Sequence, residues 1–200
     1  MRTPLQTRSE SSADRMLAAT LALLDEGGHA AVTVAAVARA AGTSNGSLYH
    51  RFGDRLGLLR AAQERVLGTI EEETQAAFTA ADAELDDARA VALLATAAVE
   101  LFVRHRGGLR AFLVDAHRTP ELEGASTAFT HRLAQTVTGW LRERFGCDPA
   151  SAEAAWRVLF ALGAARALFD DEAVSPTYLP PADLAAALAR AVLAVVTSPR

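Results

Sequence analysis

The sequence predicts an all-α protein of about nine helices, a three-helix head followed by a six-helix body. Three observations carry that prediction. Apolar residues recur at three- and four-residue spacing along most of the chain, the period of one helix face. Ser, Thr or Asp precedes several of these runs, and Gly or Pro punctuates their ends, as helix termini require. No stretch alternates long enough for a strand, and Val32-Thr33-Val34 is too short.

The elements follow in order. Residues 1–8 read as a loose tail with two Arg. Ser11 or Ser12 can cap the first helix, with Asp14 complementing its first turn. Met16, Leu17, Thr20, Leu21 and Leu24 share its inner face, and Gly27-Gly28 stops it. Thr33 caps a second helix that buries Val34, Val37 and Ala41 and ends at Gly42. Ser44 caps a third that buries Leu48 and Phe52. Gly53-Asp54 breaks and recaps the chain. A long fourth helix then carries Leu56, Leu59, Ala62, Val66 and Ile70, passes the acidic run Glu71-Glu72-Glu73 as a solvated turn, and fades near Asp82.

The body continues from Asp86 or Asp87 through Val91, Leu94, Ala98, Leu101 and Phe102. His105-Arg106-Gly107-Gly108 interrupts this helix, and Leu109 to His117 forms a short one. Thr119-Pro120 opens a helix running to Phe145, and Asp148-Pro149 opens another through Leu168. Proline at the first helical position lacks only a donor that the helix does not need. Residues 171–181 read as a loop rich in Pro and acids, and Pro181 and Asp183 open the last helix, Leu184 to Val196.

Bulk properties narrow the function. Two hundred residues, half of them apolar, can bury a core and show no disordered-type bias. The formal charge of −4 is split: residues 1–60 carry seven Arg against five acids, and residues 61–200 thirteen against nineteen. The division suits a small DNA-facing head (residues 1–60) on an acidic body (residues 61–200). Every basic side chain is Arg. Cys147 is alone, so no intramolecular disulfide forms, and it reads as a partly buried thiol near a helix end. Residues 1–30 lack an apolar core followed by a cleavage site, and no apolar run can span a bilayer. The expectation is a cytoplasmic protein with no membrane partner.

Enzymatic chemistry finds no support. His105, His117 and His131 are too far apart for a helical metal pair, and no His-Glu-x-x-His run occurs. Asp115 and His117 face different sides of a helix, and Asp170-Asp171-Glu172 reads as a solvated helix end. There is no Gly-rich phosphate loop and no nucleophile elbow. No catalytic residue, cofactor or metal is predicted.

The informative stretch is residues 33–55. Two short helices meet at a tight turn, Ala41-Gly42-Thr43, and the second is crowded with small polar groups. A slim helix surface is what groove entry needs. Gly46 lets the backbone come close, and Asn45, Ser47 and His50 offer donors and acceptors to base edges. Tyr49 ends in a hydroxyl suited to a phosphate oxygen. Thr33 and Ser44 cap helix N-termini, where free amides favour an anion, although a cap is needed with or without DNA. Arg55 adds a charge at the start of the fourth helix, and Arg39 can touch DNA or simply solvate the second.

Thr33, Gly42, Ser44, Gly46, Ser47, Leu48, Tyr49, Phe52, Asp54, Arg55, Leu56 and Leu59 together resemble the N-terminal signature of the TetR (tetracycline-repressor-like) family of bacterial transcriptional regulators. The likeness covers about residues 12–60, with one departure: Arg55 stands where the family commonly has Lys. The resemblance implies a repressor that binds near-palindromic double-stranded operator DNA as a homodimer and is released by a small-molecule effector. A helical regulator without an inducer, or an activator, is the alternative.

Two surfaces of the body follow from that implication. Phe102, Phe112, Phe129, Trp140, Trp156 and Phe160 are the large apolar groups available to a ligand pocket, with His131, Gln135 and Thr136 as polar contacts. Leu159, Leu162, Gly163 and Ala167, with Leu184, Leu188, Ala191, Val192 and Val195, form two stripes on the last long helices for a dimer interface.

Overall fold

The computed structural model describes residues 4–198, with side chains from Ser12 onward except at positions 117 and 118. Among the described residues the chain is helical throughout, with no strand. The expected facing of His117 therefore lies outside the described residues.

Helix α1 spans Pro4–Ala31 and so starts well before the expected cap at Ser11 or Ser12. Its backbone leaves helical geometry at Gly27 and Gly28, where the stop was expected, and only a short helical stretch follows to Ala31. Met16, Leu17, Thr20 and Leu24 are buried, and the Thr20 hydroxyl, fully enclosed, donates to the Met16 carbonyl at 2.8 Å.

Helices α2 (Val34–Ala40) and α3 (Asn45–Phe52) are each set by a local cap. Thr33 Oγ1 accepts from the Ala36 amide at 3.1 Å, and Ser44 Oγ from the Ser47 amide at 3.2 Å. Between them Gly42 takes φ of 62°, a left-handed conformation that glycine adopts without a Cβ clash. Val37, Ala41 and Leu48 hold the pair against α1.

Helix α4 (Arg55–Asp82) is capped by Asp54 Oδ1, which accepts from the Gly57 amide at 2.7 Å. At 1.5 Å per residue it is about 42 Å long and joins head to body without a break. The expected division at residue 60 falls inside it. One apolar cluster accordingly runs from Met16 and Leu48 through Leu59 and Val66 to Phe112 and Phe129.

The body holds α5 (Asp87–Arg104), α7 (Pro120–Phe145), α8 (Pro149–Leu168), α9 (Asp171–Val174) and α10 (Pro181–Thr197). Between α5 and α7 lies α6 (Arg106–Leu109), continuing as a π turn (Arg110–Val114) and a 3-10 turn (Asp115–Arg118). The expected interruption at 105–108 is thus a fresh helical start. The expected loop at 171–181 contains the single turn α9. Leu188 and Ala189 of α10 pack on Val91, Ala95 and Val99 of α5. Gln63 Nε2 donates to the Leu122 carbonyl at 2.8 Å and to Ser126 Oγ at 2.9 Å, and Ser126 Oγ donates to the Phe112 carbonyl. Cys147 is half-buried, with its thiol 3.6 Å from the Leu141 carbonyl. Among the described residues no helix is long and apolar enough to cross a membrane, and no cluster of His, Cys, Asp or Glu could hold a metal ion.

Candidate nucleic-acid interface

Helix α3 has an inner and an outer side. Leu48 is buried and Phe52 half-buried against the head core. Asn45, Gly46, Ser47, Tyr49 and His50 are all exposed, so the five α3 residues among the eight expected to meet DNA lie open together. Tyr49 is 54% exposed, with its hydroxyl free to reach an outside partner. Ser44 and Ser47 hydroxyls lie 3.0 Å apart beside the helix start.

Gly46 is the most informative of these residues. A Cβ placed there would meet only Ser44 Oγ at 3.8 Å, an ordinary contact. Its φ is not positive, so no turn demands glycine. A helical glycine costs up to about 1 kcal/mol against alanine. The protein's own fold gives no return on that cost; close approach by an outside backbone would.

Thr33 and Ser44 are exposed caps, as expected. Arg55 is engaged differently from the expectation of a plain phosphate contact. Its Nε donates to the Val32 carbonyl at 2.6 Å and its Nη2 to the His29 carbonyl at 2.5 Å. It ties the end of α1 to the start of α4. The remaining nitrogen can still face a phosphate, but the side chain's first task is positional.

The body encloses a second candidate site, a cavity of about 410 Å3 between α4, α5, α7, α8 and α10. Phe102, Phe129, Trp140, Trp156 and Phe160 line it as expected of pocket residues. Four other expected pocket residues do not. Phe112 is fully buried against His29 (ring centroids 6.0 Å apart), because the π turn rotates it toward α1 while Leu109, Leu113 and Val114 meet the cavity. His131, Gln135 and Thr136 are exposed to solvent. His131 and Gln135 lie two residues beyond Phe129 and Leu133, about 200° round the helix from the lining face. That spacing was available in the sequence. The polar lining comes instead from Glu73, Thr74, Glu100, Arg104 and Thr130, which sequence reasoning missed.

Glu73 is no solvated turn residue. Burial alone would raise its carboxyl, but hydrogen bonds and charges from His105 and Arg104 outweigh burial and hold it below the ordinary value of 4.5. His105 Nε2 lies 3.1 Å from both carboxylate oxygens, and Arg104 Nη1 lies 3.1 Å from one.

Of the residues expected at a dimer interface, Gly163, Ala167 and Leu188 are buried in the protomer's own core. Gly163 sits against Phe102, where a Cβ would come within 2.7 Å of the ring. These three cannot face a partner in this conformation. Leu159, Leu162, Leu184, Val192 and Val195 are half-buried, and Ala191 is exposed. Val158, Ala161 and Ala194 add exposed small or branched apolar groups on the same two helices.

Residues 16–62 match the family described as bacterial regulatory proteins, tetR family. This stretch of the chain, the head, is similar to the N-terminal part of TetR-family regulators. The regulator BetI of Stenotrophomonas maltophilia is 42% identical over 59 residues, 30% of this chain and 30% of that protein. BetI of Paraburkholderia phytofirmans is 39% identical over 70 residues, 35% of this chain and 36% of its own. The matched stretch thus spans about a third of these relatives' length, the head alone. A candidate transcriptional regulator from Streptomyces coelicolor A3(2) is alike along its whole length: 27% identity over 94% of this chain and 99% of that one, TM-score 0.65. A TetR-family protein from Mesorhizobium loti shares the fold at 18% identity, covering 97% and 98% of the two chains with TM-score 0.74. The TetR family and these relatives are transcriptional regulators, not enzymes.

Proposed function

We propose that this chain is a TetR-family regulator, a homodimeric repressor that binds a near-palindromic operator and is released by a small molecule held in the body cavity. The observation that carries the DNA-binding part is the open polar face of α3 around Gly46, which the protein's own packing leaves unused. Asn45, Ser47 and His50 read base edges, and Tyr49 with the α2 and α3 N-termini sets register on the phosphates. One head makes few contacts, so two heads on one duplex gain affinity by linkage. A ligand that favours one body conformation changes head separation, and the two α3 helices no longer fit neighbouring major grooves. The unbroken α4 gives the body a direct lever on the head.

Selection of bound duplexes from a random pool tests this reading, with a near-palindrome as the expected product. Tyr49→Ala should weaken binding to all sequences about evenly, while Asn45→Ala or His50→Ala should relax preference at particular positions by about 1–3 kcal/mol. Failure to enrich any duplex at low salt contradicts the function. A Tyr49→Ala effect confined to base preference contradicts its phosphate assignment.

A further inference from the structure

The body cavity supports an inference that rests on the ligand-responsive reading above and narrows it to a class of ligand. At about 410 Å3 the cavity falls within the range of sites for drug-sized molecules. Its walls are hydrocarbon and aromatic, with Phe78, Phe129, Trp140 and Trp156 among the largest contributors.

Three ionisable side chains reach the cavity, Glu73, Glu100 and Arg104, and their mutual contacts place them together at one end. They are already engaged. Arg104 Nη1 is 3.1 Å from Glu73 and its Nη2 3.8 Å from Glu100, while His105 lies 3.1 Å from Glu73. A ligand carboxylate would have to draw Arg104 from two carboxylates. A ligand cation would have to displace Arg104 and His105 from Glu73. A charge carried deeper meets no counter-ion among the lining residues, and an uncompensated charge in such surroundings is costly.

Two hydroxyls remain. Thr69 and Thr79 on α4, and Thr136 and Thr138 on α7, donate to the carbonyl four residues earlier. Thr74 and Thr130 sit on the same two helices and line the cavity, yet their hydroxyls make no hydrogen bond among the described residues. Neither hydroxyl is a buried orphan, so each retains access to the cavity or to solvent.

We propose that the cavity takes a mainly hydrocarbon or aromatic ligand with no formal charge and one or two hydrogen-bonding groups, met by the hydroxyls of Thr74 and Thr130. Alcohols, ketones and esters of this description fit; fatty carboxylates and quaternary ammonium ions do not.

The full-length protein provides its own reporter, because its two tryptophans, Trp140 and Trp156, both line the cavity. Three probes, each built on an unbranched ten-carbon chain, are titrated against tryptophan fluorescence: 1-decanol, decanoate and decyltrimethylammonium. The expected result is a saturable change with 1-decanol at an affinity about tenfold or more above either charged probe. A charged probe that binds as tightly, or a flat response to 1-decanol, overturns the proposal. Thr74→Val with Thr130→Val, checked for intact helicity by circular dichroism, should weaken 1-decanol several-fold; unchanged affinity removes the hydroxyl pair. Duplex binding is measured separately. Protein that binds DNA but ignores 1-decanol sinks this inference alone, and protein that binds 1-decanol but no DNA sinks the regulator reading alone.

Discussion

Arg55 joins two parts of the head with one planar side chain. The carbonyls of His29, in the last turn of α1, and Val32, just past it, have no helical amide following to meet them. A guanidinium reaches both at once; an ammonium on a flexible stem cannot reproduce that fork. The presence of Arg where the family commonly has Lys is thereby explained by geometry within the chain. Arg55→Lys should lower stability by about 1–3 kcal/mol, read as a fall in thermal midpoint without DNA, because hydrogen bonds to charged donors are worth that much. An unchanged midpoint with weaker DNA binding would return Arg55 to the role of a phosphate contact. The residue type and a cationic function were readable in the sequence. The partners were not, because they lie 23 and 26 residues away, on the far side of α2 and α3.

At the scale of elements, the legible features are those that a few neighbouring residues decide. The Thr33, Ser44, Asp54, Asp86 and Asp148 side chains all accept from amides at the helix starts expected of them. The prolines at 120, 149 and 181 open helices as their missing donors allow. Gly107 and Gly108 misled because their reason is not local. A Cβ on Gly107 would fall 1.4 Å from Asp25 Oδ1, and one on Gly108 would come 2.8 Å from Val66 Cγ1. These glycines let α6 close on α1 and α4 rather than break a helix, and nothing within a few residues records it. Asp25 feels the same closeness: burial raises its carboxyl, against the Gly107 amide and the Arg106 charge. Glu73 similarly joins α4 to the end of α5. Its carboxyl sits below 4.5 in the folded protein, so the folded state favours the ionised form. The stability it contributes is present above pH 4.5 and is lost as pH falls through its lower folded value. Glu73→Gln should therefore flatten the acid side of a thermal-midpoint against pH curve while lowering the plateau at neutral pH. An acid limb as steep as in the parent would show that Glu73 does not contribute to it.

At the scale of the whole molecule, the open polar face of α3 was legible in the sequence, whereas the allocation of apolar residues in the body was not. Helix α8 has no dominant apolar face, so periodicity could not say which of its stripes faces inward, and α10 carries only Asp183 and Arg190 as charges. Packing against α5 settles it by taking Leu188 and Ala189 into the core and leaving Val158 and Ala191 outside. Leu188→Arg should thus unfold the protomer, because it buries an unpaired charge. Val158→Arg or Ala191→Arg should leave the thermal midpoint of the protomer nearly unchanged, within the ±0.5 kcal/mol or so typical of surface changes, and yield monomers by light scattering. Dimers that persist in both variants would place the interface elsewhere. That α3 presents a surface the protein's own fold does not use is tested most directly by Gly46→Leu, followed by thermal unfolding and duplex binding side by side. Open space at the Cβ and better helix propensity predict a midpoint equal to or above the parent's, with operator affinity reduced at least about tenfold. Operator affinity equal to the parent's, in a variant that remains folded, would contradict it.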